Sequence, residues 1–235
     1  MNQHNSKNIV VIPTYNEASN IERLVLDLLN EKLSVLVVDD NSPDGTSNIV
    51  KGLQVKYKNV FLIQRQSKLG YGSAYREGFS FALQRGFNSI IQMDADFSHT
   101  IKDLKLMLQN IGKADIVIGS RYVIGGSTKG WSIFRVILSK VANNLSKFLC
   151  GYPVNDSTSG FRIYSSKALN SNNYELTNSD GYSFQIEMTF NSFQKNLTFY
   201  ESPITFYERR AGKSKMNKKI ILEAIFLILK IWYEK

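Results

Sequence analysis

The sequence predicts an α/β domain with a mostly parallel sheet that helices cover on both faces. Three observations predict it. Runs of Val, Ile and Leu have strand length, segments with helical spacing separate them, and polar residues follow the ends of the runs. The chain has 235 residues, 43% of them hydrophobic, which suits one large domain with one core.

Strand and helix patterns alternate through the first half of the chain. The strand patterns are Ile9–Ile12, which Pro13 closes, "LSVLVVDD", "NVFLIQR", Ser89–Met93 and "DIVIGSRY". The helix patterns between them span Asn16–Asn30, Thr46–Lys56, Gly72–Arg85 and Ile101–Ile111. Continuous apolar strands separated by amphipathic helices are typical of a sheet that is buried on both faces.

The pattern changes after residue 125. The segment "WSIFRVILSKVANNLSKFLCG" carries a wide apolar stripe at helical spacing, and "DSTSGFRIYSS" is a polar loop that leads into a short strand. Two strand candidates follow, broken at Pro203, and the last helix spans Asn217–Tyr233. This helix is shorter than the about 20 apolar residues that cross a membrane. The stripe and the last helix therefore either pack on a core or lie in a membrane interface.

Several classes of protein are excluded by what the sequence lacks. It has no G-x-x-x-x-G-K-[ST] loop, and "PTYNE" occupies the place of a dinucleotide-binding G-x-G-x-x-G after the first strand. With only His4 and His99, a zinc site built on several imidazoles is excluded. The single Cys150 cannot form an internal disulfide, which fits the cytosol.

The charge of the chain is uneven. The net charge is +9, and the segment from Pro203 to Lys235 holds eight basic and three acidic residues. A basic end favours an anionic partner, which could be nucleic acid, a phospholipid surface or a phosphorylated substrate. It is equally consistent with a solvated face.

Polar clusters follow four of the predicted strands. They are Thr14–Glu17, Asp39–Asp44, Asp94–His99, and Ser120 with Arg121. In open α/β sheets, ligands bind outside the carboxyl ends of the strands. We therefore expect these clusters to meet in one site.

Asp94 and Asp96 form a D-x-D pair at the end of the fourth strand. Two carboxylates on a turning segment can converge on one cation, and Mg²⁺ or Mn²⁺ suits such oxygen ligands. The alternative is an Asx turn in which Asp96 caps the next helix. Asp39 and Asp40 end another strand, where a carboxylate can accept hydrogen bonds from a base or a ribose or can belong to an ordinary turn.

An ordered set of motifs resembles a known family. "VVIPTYNE", "VVDDNSPDGT", "MDADFSH", "GSRYVIGG", "DSTSGFR", "GYSFQIEM" and "ERRAGKSK" occur in the order and approximate spacing of the inverting family 2 glycosyltransferases with the GT-A fold. The resemblance runs from about Ile9 to Lys219 and is greatest to members that transfer mannose to dolichyl or other polyprenyl monophosphates. It implies a single Rossmann-like catalytic domain at 1–219 and a C-terminal amphipathic helix at 220–235.

The resemblance also implies roles for individual residues. Asp94 and Asp96 match the carboxylates that hold a metal, Mg²⁺ or Mn²⁺, against the donor diphosphate, and Ser98 stands at a third metal-binding position. Asp94, Asp96, Arg121 and Arg209 are the implied catalytic residues. The positions that match nucleoside-binding residues are Pro13, Tyr15, Glu17, Asp40 and Asp94. Those that match acceptor and phosphate-binding residues are Arg121, Arg135, Ser139, Arg209 and Lys215.

The implied reaction moves mannose from GDP-mannose to a dolichyl or undecaprenyl monophosphate with inversion. Such an acceptor is already an anion, so it needs no general base. The resemblance implies peripheral attachment to the cytoplasmic face of a membrane, no nucleic-acid partner, and leaves open an accessory membrane subunit.

Three alternatives stay open at this point. The first keeps the fold but uses another donor, such as UDP-glucose or a UDP-N-acetylhexosamine, or a polysaccharide or protein acceptor. The second is a non-catalytic protein that uses its positive charge to bind nucleic acid. Against it, aromatic residues are not interleaved with the basic residues of the tail. The third is a membrane-recruitment module without activity.

Overall fold

The structure is a computed structural model that describes residues 7–208 and 218–233. Its main sheet has seven strands in the order β3-β2-β1-β4-β7-β5-β8, and β6 pairs with β9 in a small parallel sheet. Strand β7 runs antiparallel to β4 and β5, whereas the other pairs are parallel. The predicted mostly parallel α/β sheet is confirmed.

The bounds of the elements are as follows. The strands are β1 Asn8–Thr14, β2 Ser34–Asp39, β3 Val60–Gln64, β4 Ser89–Gln92, β5 Ile116–Ser120, β6 Ser127–Lys129, β7 Arg162–Ser165, β8 Phe199–Pro203 and β9 Thr205–Tyr207. The helices are α1 Ala18–Asn30, α2 Thr46–Lys56, α3 Tyr71–Gln84, α4 Ile101–Leu108, α5 Ile133–Cys150, α6 Ser166–Asn172, α7 Gly181–Gln194 and α8 Lys218–Tyr233. A short 3-10 helix spans Tyr174–Leu176.

The sheet separates two apolar cores. Because successive side chains of a strand point to opposite faces, Ile9 and Val11 of β1 enter one core and Val10 and Ile12 enter the other. The first core packs against α3, α7 and α8, and the second packs against α1, α2 and α4. Helices therefore cover both faces, as the continuous apolar strand patterns predict.

Pro13 does not end the first strand, contrary to the sequence prediction. β1 continues to Thr14, and Pro13 still pairs in register with Val38 of β2. Val11 accepts a hydrogen bond from Met93, so its backbone faces β4, and Pro13 two residues later faces the same side. There β4 has already ended at Gln92. The missing N–H of Pro13 therefore removes no hydrogen bond between strands, and β1 extends to the edge of the sheet where the site lies.

Helices α6 and α7 lie in a segment for which the sequence pattern predicts no helix. Most of α7 is buried, and its buried positions mix apolar residues such as Phe184 and Ile186 with polar ones such as Ser183, Gln185 and Thr189. A helix that is covered on nearly every side has no apolar stripe, so the periodicity that reveals surface helices is missing. Strand β6 was likewise not predicted, since it has only three residues.

The last helix, α8, contributes Ile228 and Ile231 to the first core and leaves Phe226 and Trp232 exposed. It packs against α5 and α7. Within the residues that the structure describes, no helix is long and apolar enough to cross a membrane.

Candidate active site

The carboxyl ends of β1, β2, β4 and β5 open into one cleft of about 340 Å³. The polar clusters predicted from the sequence meet there. Ten of the residues that line this cleft come from those clusters: Thr14, Tyr15, Glu17, Asp40, Asp94, Ala95, Asp96, Ser98, His99 and Arg121. The parallel arrangement of the strands therefore brings together side chains that are more than 100 positions apart in sequence.

The two carboxylates at the end of β2 differ in surroundings. Asp39 is fully buried and accepts hydrogen bonds from the hydroxyls of Thr14, at 2.8 Å, and Ser42, at 2.6 Å. Asp40 lines the cleft, and its carboxylate accepts hydrogen bonds from Arg65, at 2.6 Å, and from the backbone N–H of Gly70, at 3.1 Å. Asp39 therefore ties β1 to the turn after β2, while Asp40 is the one that faces a ligand.

Tyr15 lies beside Asp40 in the lining of the cleft. The ammonium group of Lys68 sits over its ring, 3.9 Å from the centroid. Pro13 and Glu17 line the same wall, and the backbone N–H of Glu17 donates to Thr46 at 3.0 Å. The structure therefore brings together all the residues predicted to hold a nucleoside.

Asp94 and Asp96 follow β4 and both line the cleft. The hydroxyl of Tyr71 donates to Asp94 Oδ1 at 3.1 Å, and the backbone N–H of Ser98 donates to Asp96 Oδ1 at 3.0 Å. Burial, and then the negative charge of Asp94, raise the pKa of Tyr71 well above its ordinary value. Tyr71 therefore stays protonated and orients Asp94 as a hydrogen-bond donor.

The sequence left open an Asx turn in which Asp96 caps the next helix. The hydrogen bond from the Ser98 backbone N–H to Asp96 supports the turn. The helix cap itself is supplied by Thr100, whose hydroxyl accepts from the backbone N–H of Asp103 at 3.0 Å. Asp96 is thus not needed as the cap of α4, and its carboxylate stays in the cleft lining.

His99 is a buried neutral side chain. Its ring stacks on Phe161 with 4.4 Å between centroids, and its Nδ1 accepts the backbone N–H of Asp94 at 3.3 Å. Burial lowers the pKa of His99 to about 4, although the charge of Asp96 acts in the opposite direction. At neutral pH the imidazole therefore holds the loop after β4 in place without adding a positive charge.

The lining of the cleft is acidic within the described residues. Six carboxylates face three cationic side chains there: Glu17, Asp40, Asp94, Asp96, Asp180 and Glu208 against Lys68, Arg121 and Arg135. In the described part of the chain, no group of three or more His, Cys, Asp or Glu residues is placed to hold a metal ion. A pair of carboxylates still fits Mg²⁺ or Mn²⁺, because these ions usually keep waters and share ligands with substrate phosphates.

Arg121 is held by a buried carboxylate. Its guanidinium forms a bidentate pair with Asp156, at 2.8 Å from Nε and 2.5 Å from Nη2, and Nη2 also donates to Thr158 at 2.8 Å. Both members of the pair are almost fully buried. Asp156 offsets most of the charge of Arg121 and fixes its guanidinium in the lining of the cleft.

Arg135 and Trp131 line the cleft at the start of α5. The guanidinium of Arg135 lies 3.9 Å from the Trp131 ring centroid and donates to Glu208 at 3.1 Å. Within the described residues, Arg135 Nε and Trp131 Nε1 are buried donors without a hydrogen-bonding partner. Unpaired N–H donors on two residues that line the cleft suit an anionic ligand.

The remaining predicted site residues lie in different places. Ser98 lines the cleft beside Asp96. Ser139 lies on α5, where its hydroxyl accepts from Tyr122 at 2.6 Å, and it is not part of the cleft lining. Arg209 and Lys215 lie outside the described residues.

Several cleft residues were not singled out from the sequence. They are Lys68, Tyr71, Trp131, Asp180, Gln185 and Phe206. The motif "GYSFQIEM" contains Gln185 and "DSTSGFR" contains Asp156, so the motifs marked the right segments without indicating which side chains face the cleft. Only the packing of α7 and of the loop before β7 decides that.

Comparison with known proteins identifies the family. The model described as glycosyl transferase family 2 matches residues 9–172, most of the catalytic region predicted from the motifs. The chain belongs to glycosyl transferase family 2. The predicted resemblance to this family is therefore confirmed.

Two curated relatives extend the match over nearly the whole chain. The polyprenol monophosphomannose synthase of Mycolicibacterium smegmatis is 40% identical over 226 residues, covering 94% of this chain and 85% of that protein. The undecaprenyl-phosphate mannosyltransferase of Micrococcus luteus is 37% identical over 220 residues, covering 92% of this chain and 90% of that protein.

Two solved structures with GT-A-like folds share the architecture at low identity. A glucosyl-3-phosphoglycerate synthase from Mycobacterium tuberculosis, in complex with Mn²⁺, UDP and glucosyl-3-phosphoglycerate, has a TM-score of 0.67 and 16% identity, covering 97% of this chain and 81% of its own. A mannosyltransferase from Pyrobaculum calidifontis, in complex with GDP-Man and Mn²⁺, has a TM-score of 0.56 and 15% identity, covering 97% and 73%. The predicted fold class is confirmed.

Proposed function

We propose that this family 2 transferase moves mannose from GDP-mannose to a polyprenyl monophosphate, dolichyl or undecaprenyl, with inversion at the anomeric carbon. The observation that carries the proposal is one cleft lined by two chemically unlike sets of residues. The first set, called the first wall, contains Asp40, Asp94 and Asp96, and the second, called the second or acceptor wall, contains Trp131 and Arg135 at the start of α5. The names of the two curated relatives support the same substrates.

The first wall binds the donor in this proposal. Pro13, Tyr15 and Glu17 border the nucleoside together with Asp40, whose carboxylate Arg65 and Gly70 hold in place. Asp94 and Asp96, with Ser98 beside them, hold a divalent ion against the diphosphate. When bound, Mg²⁺ or Mn²⁺ would neutralise the negative charge that develops on the leaving GDP. The two solved structures that contain Mn²⁺ with a nucleotide or a nucleotide sugar support the use of a divalent metal.

The second wall binds the acceptor phosphate. Arg121, whose guanidinium Asp156 fixes in the cleft lining, lies there with Arg135 and Trp131, which supply two buried N–H donors. Arg209 and Lys215 of the basic segment complete the set in this proposal, and Ser139 orients Tyr122 from α5. These donors let a second anion approach the donor diphosphate in a cleft that burial makes poorly hydrated.

The chemistry is an in-line displacement. A phosphate oxygen of the acceptor attacks the anomeric carbon, the bond from that carbon to the diphosphate oxygen breaks, and GDP leaves. The attacking oxygen already carries a negative charge at neutral pH, so no proton has to be removed. The neutral buried His99 fits this reaction, since it is not required as a base.

The acceptor wall continues into an apolar surface. Helix α5 exposes large apolar side chains, among them Phe134, Ile137 and Phe148. We propose that this surface contacts the lipid tail or the membrane, with the basic residues of the chain attracted to anionic head groups. Attachment would then be peripheral, at the cytoplasmic face, with or without an accessory membrane subunit.

Donor competition tests the proposal against its nearest alternative. Purified protein would receive radiolabelled GDP-mannose, UDP-glucose or a UDP-N-acetylhexosamine with undecaprenyl or dolichyl phosphate, with and without Mn²⁺ or Mg²⁺. We expect metal-dependent label in the organic phase from GDP-mannose alone. Label from a UDP-sugar in its place would assign another donor to the same fold. Lipid label from no donor, with salt-sensitive binding to RNA or vesicles, would favour a non-catalytic role.

A further inference from the structure

Gln185 is a buried amide that the fold leaves unpaired. It lies on α7, is only 1% exposed, and lines the cleft. Neither its Nε2 nor its Oε1 has a hydrogen-bonding partner within residues 7–208 and 218–233. A buried amide without partners costs stability, so a native protein that keeps one usually has a use for it.

The surroundings of Gly160 show where this amide lies. A β-carbon placed on Gly160 would be 3.8 Å from Gln185 Nε2, 3.9 Å from Asp94 Oδ2 and 2.6 Å from the Tyr71 hydroxyl. Gln185 therefore shares one small region of the cleft with the carboxylate assigned to the metal and diphosphate. Glycine at position 160 keeps this region open, because any side chain there would meet the Tyr71 hydroxyl.

The chemistry of an amide selects the group that it can bind. A side-chain amide offers N–H donors and a carbonyl acceptor. Phosphate oxygens only accept hydrogen bonds, so a phosphate would leave the carbonyl unpaired. Neighbouring sugar hydroxyls both donate and accept, and can satisfy both ends of the amide. In a nucleotide sugar, the hexose follows the diphosphate, which we have assigned to Asp94.

We propose that Gln185 reads hydroxyl groups of the donor hexose, with its N–H donating to one hydroxyl and its carbonyl accepting from another. This inference rests on the proposed function for the location of the diphosphate, but not on the identity of the sugar. Gln185 thereby becomes a specificity-determining residue of the transferase. It recognises the transferred group separately from the nucleotide.

The variant Gln185→Met separates this role from a structural one. Methionine has a similar length and shape but lacks the donor and the acceptor. Because the amide has no protein partner to lose, the replacement should not lower the thermal stability of the protein. A residue that served the fold would show the opposite result. Ser183→Ala is the matched control, since Ser183 is a fully buried residue of α7 with an unpaired hydroxyl outside the cleft lining.

The test is binding of GDP and of GDP-mannose, each with Mn²⁺, by calorimetry to wild type and both variants. We expect Gln185→Met to weaken GDP-mannose binding by about 10- to 100-fold and to leave GDP binding unchanged within about twofold. Ser183→Ala should change neither. GDP-mannose analogues that each lack one sugar hydroxyl would identify the hydroxyl that Gln185 contacts. An analogue without that hydroxyl should bind to wild type and to Gln185→Met with the same affinity.

Two results would overturn the inference. One is unchanged GDP-mannose affinity in Gln185→Met, and the other is a parallel loss of GDP affinity or of thermal stability. A wild type that binds a UDP-hexose and not GDP-mannose would instead overturn the proposed donor. The same comparison, made with UDP and that UDP-hexose, then decides whether Gln185 reads the sugar.

Discussion

Helices α1 and α5 have the same kind of apolar stripe in sequence but face opposite ways in the structure. α1 buries its stripe, Ile21, Leu24, Val25 and Leu28, against the sheet. In α5 the buried residues are Asn143, Ser146 and Cys150, and the apolar stripe is exposed. Its exposed members are Ile133, Phe134, Ile137, Val141, Leu145 and Phe148.

The inward face of α5 explains this orientation. Asn143 donates to Thr158 Oγ1 at 3.0 Å and accepts from the Ser157 hydroxyl at 3.0 Å, while Ser146 pairs with Tyr152. Thr158 in turn accepts from Arg121. The polar side of α5 thus supplies hydrogen-bonding partners to the loop that holds Arg121, and the apolar side remains exposed. The difference teaches that the protein's own core covers the apolar stripe of α1 but not that of α5, which is the surface proposed to contact lipid.

The largest effect is expected in the donor half, from Asp96→Asn. The substitution keeps the shape of the side chain but removes a charge assigned to the metal. Transfer to lipid phosphate should fall about 1000-fold, which corresponds to about 4 kcal/mol of transition-state stabilisation. Initial rates at saturating Mn²⁺ would measure it. Asp27→Asn, at a partly exposed position on α1, should leave the rate unchanged; an equal loss there, or full activity in Asp96→Asn, would contradict the assignment.

Matched truncations in the two helices test their orientation directly. Leu24→Ala in α1 removes fully buried atoms and should lower the free energy of unfolding by about 3 kcal/mol. Val141→Ala in α5, where the side chain is 57% exposed, should change it by less than about 0.5 kcal/mol. Denaturant titration of both variants gives the comparison. Similar losses would mean that α5 is packed like α1.

The apolar face of α5 should matter for lipid binding. The double variant Phe134→Ser with Phe148→Ser removes two side chains that are 76% and 82% exposed. Affinity for anionic phosphatidylglycerol vesicles should fall about 30-fold, equivalent to about 2 kcal/mol of lost apolar contact. Vesicle co-sedimentation measures it. Val55→Ser, which alters an 89% exposed residue of α2, is the control and should bind as wild type does. Equal loss in the control would make the effect nonspecific.

The smallest effect is expected from Trp131→Phe in the acceptor wall. Phenylalanine keeps an aromatic surface for Arg135 but removes the buried indole N–H. The KM for polyprenyl phosphate should rise about fivefold, consistent with one hydrogen bond of about 1 kcal/mol, while the KM for GDP-mannose should not change. Two-substrate kinetics separates the two constants. A rise in the donor KM instead would move Trp131 to the other wall.

Much of the donor half was predictable from the sequence, because buried parallel strands have continuous apolar sequences. Those runs located the carboxyl ends of β1, β2, β4 and β5, and with them Asp40, Asp94 and Asp96. Hydrophobic pattern also found α5, since its spacing is helical. The pattern could not predict the orientation of α5. Periodicity shows that apolar and polar residues lie on different sides of a helix, but it does not show which side is buried.

Other features of the site have no local signal in sequence. The Arg121–Asp156 pair joins residues 35 positions apart, and the backbone N–H of Gly72 donates to the Asp180 carboxylate, 108 positions away. Gln185 lies on a helix without an apolar stripe, so neither the helix nor the direction of the side chain could be predicted. These contacts depend on the antiparallel insertion of β7 and on the packing of α7.

The central claim is that the cleft joins a donor to an acceptor that is already an anion. The most direct test compares a polyprenyl monophosphate with the corresponding polyprenol, using GDP-mannose and Mn²⁺ at the same lipid concentration. The account predicts mannosyl transfer to the monophosphate and none to the alcohol, because no residue is assigned to remove a hydroxyl proton. Equal or faster transfer to the alcohol would contradict it and would require a general base in the cleft.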